Sequence, residues 1–222
     1  MTLLILTGLR REARILAAPG HLVLTGGGDA VALEAAAERG AAAARGVISI
    51  GIAGALAPGL APGDWVVGRA VREAARETGT DSAWADRLLG RLPGAVVGTV
   101  LGRDTMVAEA AEKAALHAAT GALAVDMESH VAARVAARHG LPLAVARVVS
   151  DAAGRSLPPA ARVGMRPDGG TDLPAVLRAL AAAPWQLPAL IRTGWEAERA
   201  FRALLRGHRR AGAGLAARFP SP

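Results

Sequence analysis

Up to Asp151 the chain alternates short apolar runs with alanine-rich stretches whose polar residues recur at helical spacing. Leu3–Leu6 reads as a buried strand ending at Thr7-Gly8, followed by a helix over Arg10–Ala18. His21–Leu24 is a second strand, closed by Thr25-Gly26-Gly27-Gly28-Asp29. Ala30–Ala44 is a helix with Glu34, Glu38 and Arg39 towards solvent. Val47–Ile50 leads into Gly51-Ile52-Ala53-Gly54, and Pro58-Gly59 and Pro62-Gly63 mark turns before a strand at Trp65–Val67. The polar stretch 69–91 reads as a loop with a short helix. Strands at Val96–Leu101, Ala122–Val125 and Leu143–Val149 then alternate with helices at Val107–Ala119 and Met127–His139. Strands that alternate with helices predict an α/β fold, and wholly apolar runs predict strands buried on both faces. The expected architecture is three-layer αβα around a central mixed, mostly parallel sheet, with additional C-terminal helices at Leu173–Ala183 and Pro188–Arg210. Residues 152–170, rich in Pro, Gly and Arg, read as an active-site loop or flap. We place a catalytic domain at 1–170 and a helical extension at 171–222, packed on it or continuous with it.

Composition narrows the chemistry. The chain has 222 residues, no Cys and no Tyr, so thiolate chemistry and a disulfide framework are excluded. Five scattered His lack ligand spacing, and no metal is expected. Every basic residue except Lys113 is Arg. Of the net charge of +7, only +2 belongs to residues 1–191, because seven Arg and two Glu lie from Arg192 onward. No apolar run approaches the ~20 residues of a membrane span. With no charged leader before the first strand, a cytoplasmic location is expected. As a helix, the tail puts Ala197, Phe201, Leu204, Leu205 and His208 on one face and Arg199, Arg202, Arg206, Arg209 and Arg210 on the other. Such a helix either lies peripherally on the inner face of an anionic membrane or packs on its own domain. Nucleic acid is not an expected partner, since no recognition motif is present.

The candidate chemistry sits at strand ends, where open α/β sheets bind ligands. Val125-Asp126-Met127-Glu128-Ser129 places two carboxylates at a helix mouth, and Arg147-Val148-Val149-Ser150-Asp151 ends an apolar run on a third. Singly, each carboxylate could favour a helix dipole or serve as a cap. Three at successive strand ends favour function. Gly26-Gly27-Gly28 reads equally as a tight turn or an anion cradle. Thr7-Gly8-Leu9-Arg10-Arg11-Glu12 forms a second such edge, where an Arg suits a phosphate.

Gly51-Ile-Ala-Gly54, Pro62-Gly63-Asp64-Trp-Val-Val67, Val125-Asp-Met-Glu128 and Val149-Ser-Asp151 fall in the order and spacing of the nucleoside phosphorylase and nucleosidase superfamily, which the chain resembles over about residues 1–165. The Asp-Met-Glu-Ser-His run, the Arg-Val-Val-Ser-Asp run and Arg155-Ser-Leu-Pro-Pro159 look most like its hopanoid-associated phosphorylase branch.

That resemblance implies cleavage of an N-glycosidic bond through an oxocarbenium-like ribosyl transition state, with phosphorolysis of adenosylhopane as the first expectation. Hydrolysis of methylthioadenosine or adenosylhomocysteine is the alternative, and a non-catalytic nucleoside-binding or membrane-surface adaptor the reading of another class. Asp151 matches the acid that protonates purine N7, and Glu128 and Met127 match the ribose contacts. Gly8, Arg11 and Gly27 are the expected phosphate contacts, and Glu12 resembles the water-activating glutamate of the nucleosidases. Met106 and Ser150 join Asp151 at the base. Ile52 stands where the family often has Ser or Thr, leaving Ser49 or the Gly26–Gly28 loop to compensate. The resemblance further implies a small-molecule nucleoside-type substrate, phosphate as co-substrate with no cofactor, and a homo-oligomer. An aspartic acid ionises near ~3.9, so Asp151 must be desolvated or share a proton to act at neutral pH. Asp151→Asn is expected to abolish adenine release and largely spare folding.

Overall fold

The computed structural model describes residues 2–164, 166 and 168–212. The elements run β1 (Thr2–Thr7), α1 (Arg10–Leu16), β2 (His21–Thr25), α2 (Ala30–Ala41), β3 (Ala44–Ala55), β4 (Trp65–Glu73), β5 (Arg76–Gly79), α3 (Ser82–Arg91), β6 (Val96–Gly102), α4 (Ala110–Thr120), β7 (Ala124–Asp126), α5 (Ser129–His139), β8 (Leu143–Asp151), α6 (Pro159–Arg162), α7 (Leu173–Ala182) and α8 (Leu187–Ala211). A 3-10 turn, Pro184–Gln186, joins the last two.

The sheet is mixed, as expected, and partly closed rather than the mostly parallel central sheet of a three-layer arrangement. β8 runs parallel to β3 and antiparallel to β4; β4, β6 and β7 are successively parallel; β7 returns antiparallel to the end of β3. These five strands form a ring, with β1 and β2 continuing outward from β3 and β5 hanging from β4. Closure follows from the length of β3. It continues past Ile50 through Gly51–Gly54, so β1 pairs with its first half and β7 takes the same edge at Gly54 and Ala55. Closing a sheet removes exposed edges, and strand glycines allow the bend.

Helices cover both sides of the sheet. Leu16, Trp84, Leu88, Ala200 and Leu204 from α1, α3 and α8 join Ile5, Ile48 and Val148 in one apolar cluster. Leu33, Ala37, Val131 and Val135 from α2 and α5 join Leu4, Val66 and Val145 in another. The stretch 69–91, expected as a loop with a short helix, holds the helix as α3, but in place of the loop β4 runs on to Glu73 and turns at Ala74-Ala75 into β5. Ala74 takes φ +50°, a role that Gly or Asn would have announced.

The basic tail helix belongs to α8, and its apolar face is occupied by the domain. Phe201 and Leu204 are buried, and the His208 ring lies 6.3 Å from that of His21. A Cβ on Gly207 would lie 2.3 Å from the Trp65 ring, so the helix approaches as closely as glycine allows. Of the two expected settings for this apolar face, the sheet of its own domain is the one it meets. Arg218 lies outside the described residues.

Candidate active site

A cavity of about 560 Å³ opens where β1, β3, β7 and β8 end. Gly8, Arg11, Glu12, Met106, Met127, Glu128, Ser150 and Asp151 all line it. Of the site residues expected from sequence, Gly27 alone lies elsewhere, in a separate depression with Gly28, Asp29, Asp104 and Arg134. Its N–H already donates to the Gly8 carbonyl at 2.9 Å. That loop is the strand-to-helix turn of the plainer reading, with Asp29 capping α2 through Ala32 N–H.

Asp151 is aimed by an irregularity in β8. Ala53 pairs with Val149 and Gly54 with Asp151, so Ser150 is the extra residue of a bulge. Such a bulge rotates the following side chain out of the regular pleat. Ser150 Oγ lies 2.6 Å from Asp151 Oδ1 and 3.1 Å from the Ala53 carbonyl, which pins the turn. On its other oxygen Asp151 is ion-paired with Lys113 Nζ, a fully buried ammonium that also donates to the Arg155 carbonyl at 2.8 Å and Ala152 at 3.3 Å. Sequence reading missed Lys113 as a site residue. Its signal was its uniqueness: one lysine in a chain whose other cations are all Arg. A compact ammonium offers three rotatable donors, whereas a guanidinium is a flat fork suited to bidentate pairing.

Glu128 sits at the base of α5. A buried Arg147 from β8 gives its Nη1 to Glu128 at 3.2 Å and its Nη2 to Ser49 and Ser129, while its Nε stands 2.9 Å from Asp126 Oδ2. Asp126 is absorbed into the scaffold. Its Oδ1 accepts from the N–H groups of Glu128 (2.8 Å) and Ser129 (2.7 Å), and its Oδ2 from the Ser129 hydroxyl at 2.5 Å. Ser49 is spent on Arg147 and does not line the cavity, so it does not replace the hydroxyl absent at Ile52. Burial pushes the Glu128 carboxyl up to about 8; the nearby Asp126 and Glu12 charges push the same way, and Arg147 opposes them. Its Oε1 would lie 2.8 Å from a Cβ on Gly8, so only glycine lets β1 pass there.

Glu12, on the first turn of α1, is also buried. Among the described residues, four donors converge on it. Thr7 Oγ (2.6 Å) and the N–H groups of Gly8 (2.9 Å) and Leu9 (2.7 Å) reach Oε2, and the Ile52 N–H (2.6 Å) reaches Oε1. Oε1, with one donor, retains acceptor capacity towards the cavity. A Cβ on Gly51 would stand 2.6 Å from this same oxygen. Arg11, the expected phosphate ligand, is bonded to Glu198 at 2.6 Å and lies 4.2 Å over the Phe201 ring. Arg10 turns away to Asp168.

The remaining wall is apolar. Leu157, Leu173, Val176 and Leu190 line it, contributed by the 152–170 segment, α7 and α8. The cavity thus has a carboxylate-lined end and an aliphatic end, dimensions and lining that suit a small molecule.

The Phosphorylase superfamily model matches residues 15–182, and the chain belongs to that family. Search of curated proteins gives no match. The fold is similar to Helicobacter pylori 5′-methylthioadenosine/S-adenosylhomocysteine nucleosidase in complex with butyl-thio-DADMe-Immucillin-A, at 15% identity and TM-score 0.69, over 97% of each chain. It is similar also to the Neisseria meningitidis nucleosidase in complex with methylthio-immucillin-A, at 16% identity and TM-score 0.67, over 94% of this chain and 97% of that one. A futalosine hydrolase mutant from H. pylori matches at 17% identity and TM-score 0.62, over 86% and 99%. At these identities the likeness establishes the fold.

Proposed function

We propose that the protein cleaves the N-glycosidic bond of an adenosyl compound with an apolar 5′ extension, using water as nucleophile. The adenine lies against Met106, Ser150 and Asp151, the ribose against Met127 and Glu128, and C1′ faces Glu12. The family membership and the nucleoside analogues named with its structural neighbours support the substrate class. Adenosylhopane, which the sequence resemblance implies, satisfies the apolar requirement set by Leu157, Leu173, Val176 and Leu190.

The observation that carries the choice of water is the set of donors around Glu12. The Gly8 amide, expected to bind phosphate, is turned onto this carboxylate, and Arg11 is bonded to Glu198. A carboxylate held by neutral donors repels a phosphate dianion and accepts a proton from water.

In the reaction the C1′–N9 bond breaks as water oxygen bonds to C1′. The water proton passes to Glu12, and the electron pair of the breaking bond flows into the purine. N7 then takes a proton delivered through the Lys113–Asp151 pair. Glu128, its carboxyl pushed up by burial and fixed by Arg147, meets the ribose hydroxyls. Hydrogen bonds that tighten as ribosyl charge develops lower the barrier.

The test is adenine release from adenosylhopane and from short 5′-substituted adenosyl compounds, with phosphate absent and present. Free ribosyl product at a rate indifferent to phosphate is expected. Release that requires phosphate and yields a ribosyl 1-phosphate restores the phosphorolytic reading and removes water.

A further inference from the structure

Four tryptophans serve this chain. Trp65 and Trp84 are buried in the core, whereas Trp185 and Trp195 are 77% and 74% exposed. On the helices before and after the 184–186 turn, Leu177 on α7 and Leu187 and Ile191 at the start of α8 are exposed as well. Exposed large apolar groups concentrated in one stretch of chain mark an interaction surface.

Their placement along α8 is ordered. Leu187, Ile191 and Trp195 recur every fourth residue on its solvent side, and Arg199, Arg202, Arg206 and Arg210 continue the stripe at spacings of three and four, all exposed. One face is thus apolar over its first half and cationic over its second, with no acidic residue on the stripe itself. Glu196 and Glu198 lie beside it, bonded to Arg192 (3.1 Å), Arg11 (2.6 Å) and Arg202 (3.0 Å). The other side of the same helix, through Leu190, Thr193, Gly194, Ala197 and Glu198, is wall of the cavity. α7 is used in the same way, with Leu173 and Val176 towards the cavity and Leu177 outward.

We propose that the outer face of α7, the 184–186 turn and the exposed stripe of α8 dock on an anionic lipid bilayer. Charge complementarity selects that occupant. Indole and aliphatic side chains enter the boundary between headgroups and acyl chains, and arginines spaced along the same face meet the phosphates. Docked in this way, the protein brings its apolar cavity wall to the membrane, where a substrate with a long apolar 5′ group resides. That consequence rests on the proposed function; the docking itself rests on the surface residues alone.

The test uses the full chain in flotation with phosphatidylcholine vesicles containing about one-third phosphatidylglycerol, and with phosphatidylcholine alone. Binding to the anionic vesicles, at least about tenfold weaker on neutral ones, is expected. Quenching of tryptophan emission by brominated acyl chains reads insertion in the unmodified protein. Substituting Trp185→Ser and Trp195→Ser together should lower partitioning about tenfold or more. This double variant keeps its melting temperature and its turnover of a short soluble adenosyl compound. Equal flotation of variant and parent, unquenched emission, or binding indifferent to lipid charge overturns the proposal. A parent that is dimeric and a double variant that is monomeric by light scattering, with neither floating, assigns the face to a second copy and overturns it too. A parent that floats but releases no adenine from any substrate retains the docking and fails the enzymatic reading.

Discussion

Asp151 and Glu12 face one cavity and are held by opposite means. Asp151 is clamped by a buried ammonium, a cation that carries protons of its own. Glu12 is held by three backbone amides and a hydroxyl, all neutral and none able to part with its proton under ordinary conditions. The difference divides the chemistry. A carboxylate coupled to a proton store suits donation to a leaving group, and one braced by fixed dipoles suits acceptance from a nucleophile.

The largest test of that division is Asp151→Asn. Adenine release should fall by roughly 10³-fold, since general acid catalysis contributes about 10²–10⁴. Lys113 also revises the sequence-based expectation that folding would be spared. The substitution leaves an ammonium buried without its anion, at a cost of about 3–5 kcal/mol measurable by urea unfolding. Adding Lys113→Met should restore most of that stability and none of the activity. A double variant as unstable as Asp151→Asn would show that the two residues are not coupled.

Next comes Glu12→Gln. Its amide group opposes the donors that converge on the carboxylate and cannot take a proton from water, so turnover should drop about 10²-fold. Phosphate should not rescue it. Unchanged hydrolysis would remove Glu12 as base.

Lys113→Arg is the third. The larger guanidinium does not fit a site with no exposure, and we expect turnover to fall about tenfold with a lower melting temperature. Wild-type rates would make the lysine's chemistry irrelevant to the donor side.

The smallest effect on turnover, though not on stability, is expected from the pH dependence of Glu128. Its carboxyl is raised from the ordinary 4.5 to about 8, so the folded state binds the proton more tightly than the unfolded chain. The stability this contributes is complete below pH 4.5 and is lost as pH rises towards 8, with a slope of up to about 1.4 kcal/mol per pH unit. Urea unfolding of the parent and Glu128→Gln across this window should show the slope in the parent and its loss in the variant. Parallel curves would place the raised carboxyl elsewhere.

The strand ends were legible from sequence because Asp151, Glu128 and Met127 follow apolar runs directly, and chain order alone brings such ends together. Lys113 was not, because it lies mid-helix and meets Asp151 across 38 residues of sequence. Arg147 stood in the quoted motif with no partner assigned to it, and β8 buries it between Asp126 and Glu128. Ring closure was hidden for a related reason. Pairing of β8 with β4 is long-range and leaves no periodicity of its own. The tail left two readings open because an amphipathic helix has the same pattern on a membrane or on a sheet.

The 12-residue strand β3 touches both carboxylates, at Gly51 beside Glu12 and at Gly54, where a Cβ would lie 3.3 Å from Asp151 Oδ2. Three residues of strand span roughly 10 Å, the scale of a path from carboxyl through N7, C1′ and water to the second carboxylate. The backbone therefore acts as a ruler for the reaction coordinate. Its graduations are peptide units that no side-chain substitution shortens, so this site can change what it accepts at the 5′ end far more readily than how far apart it holds its acid and its base.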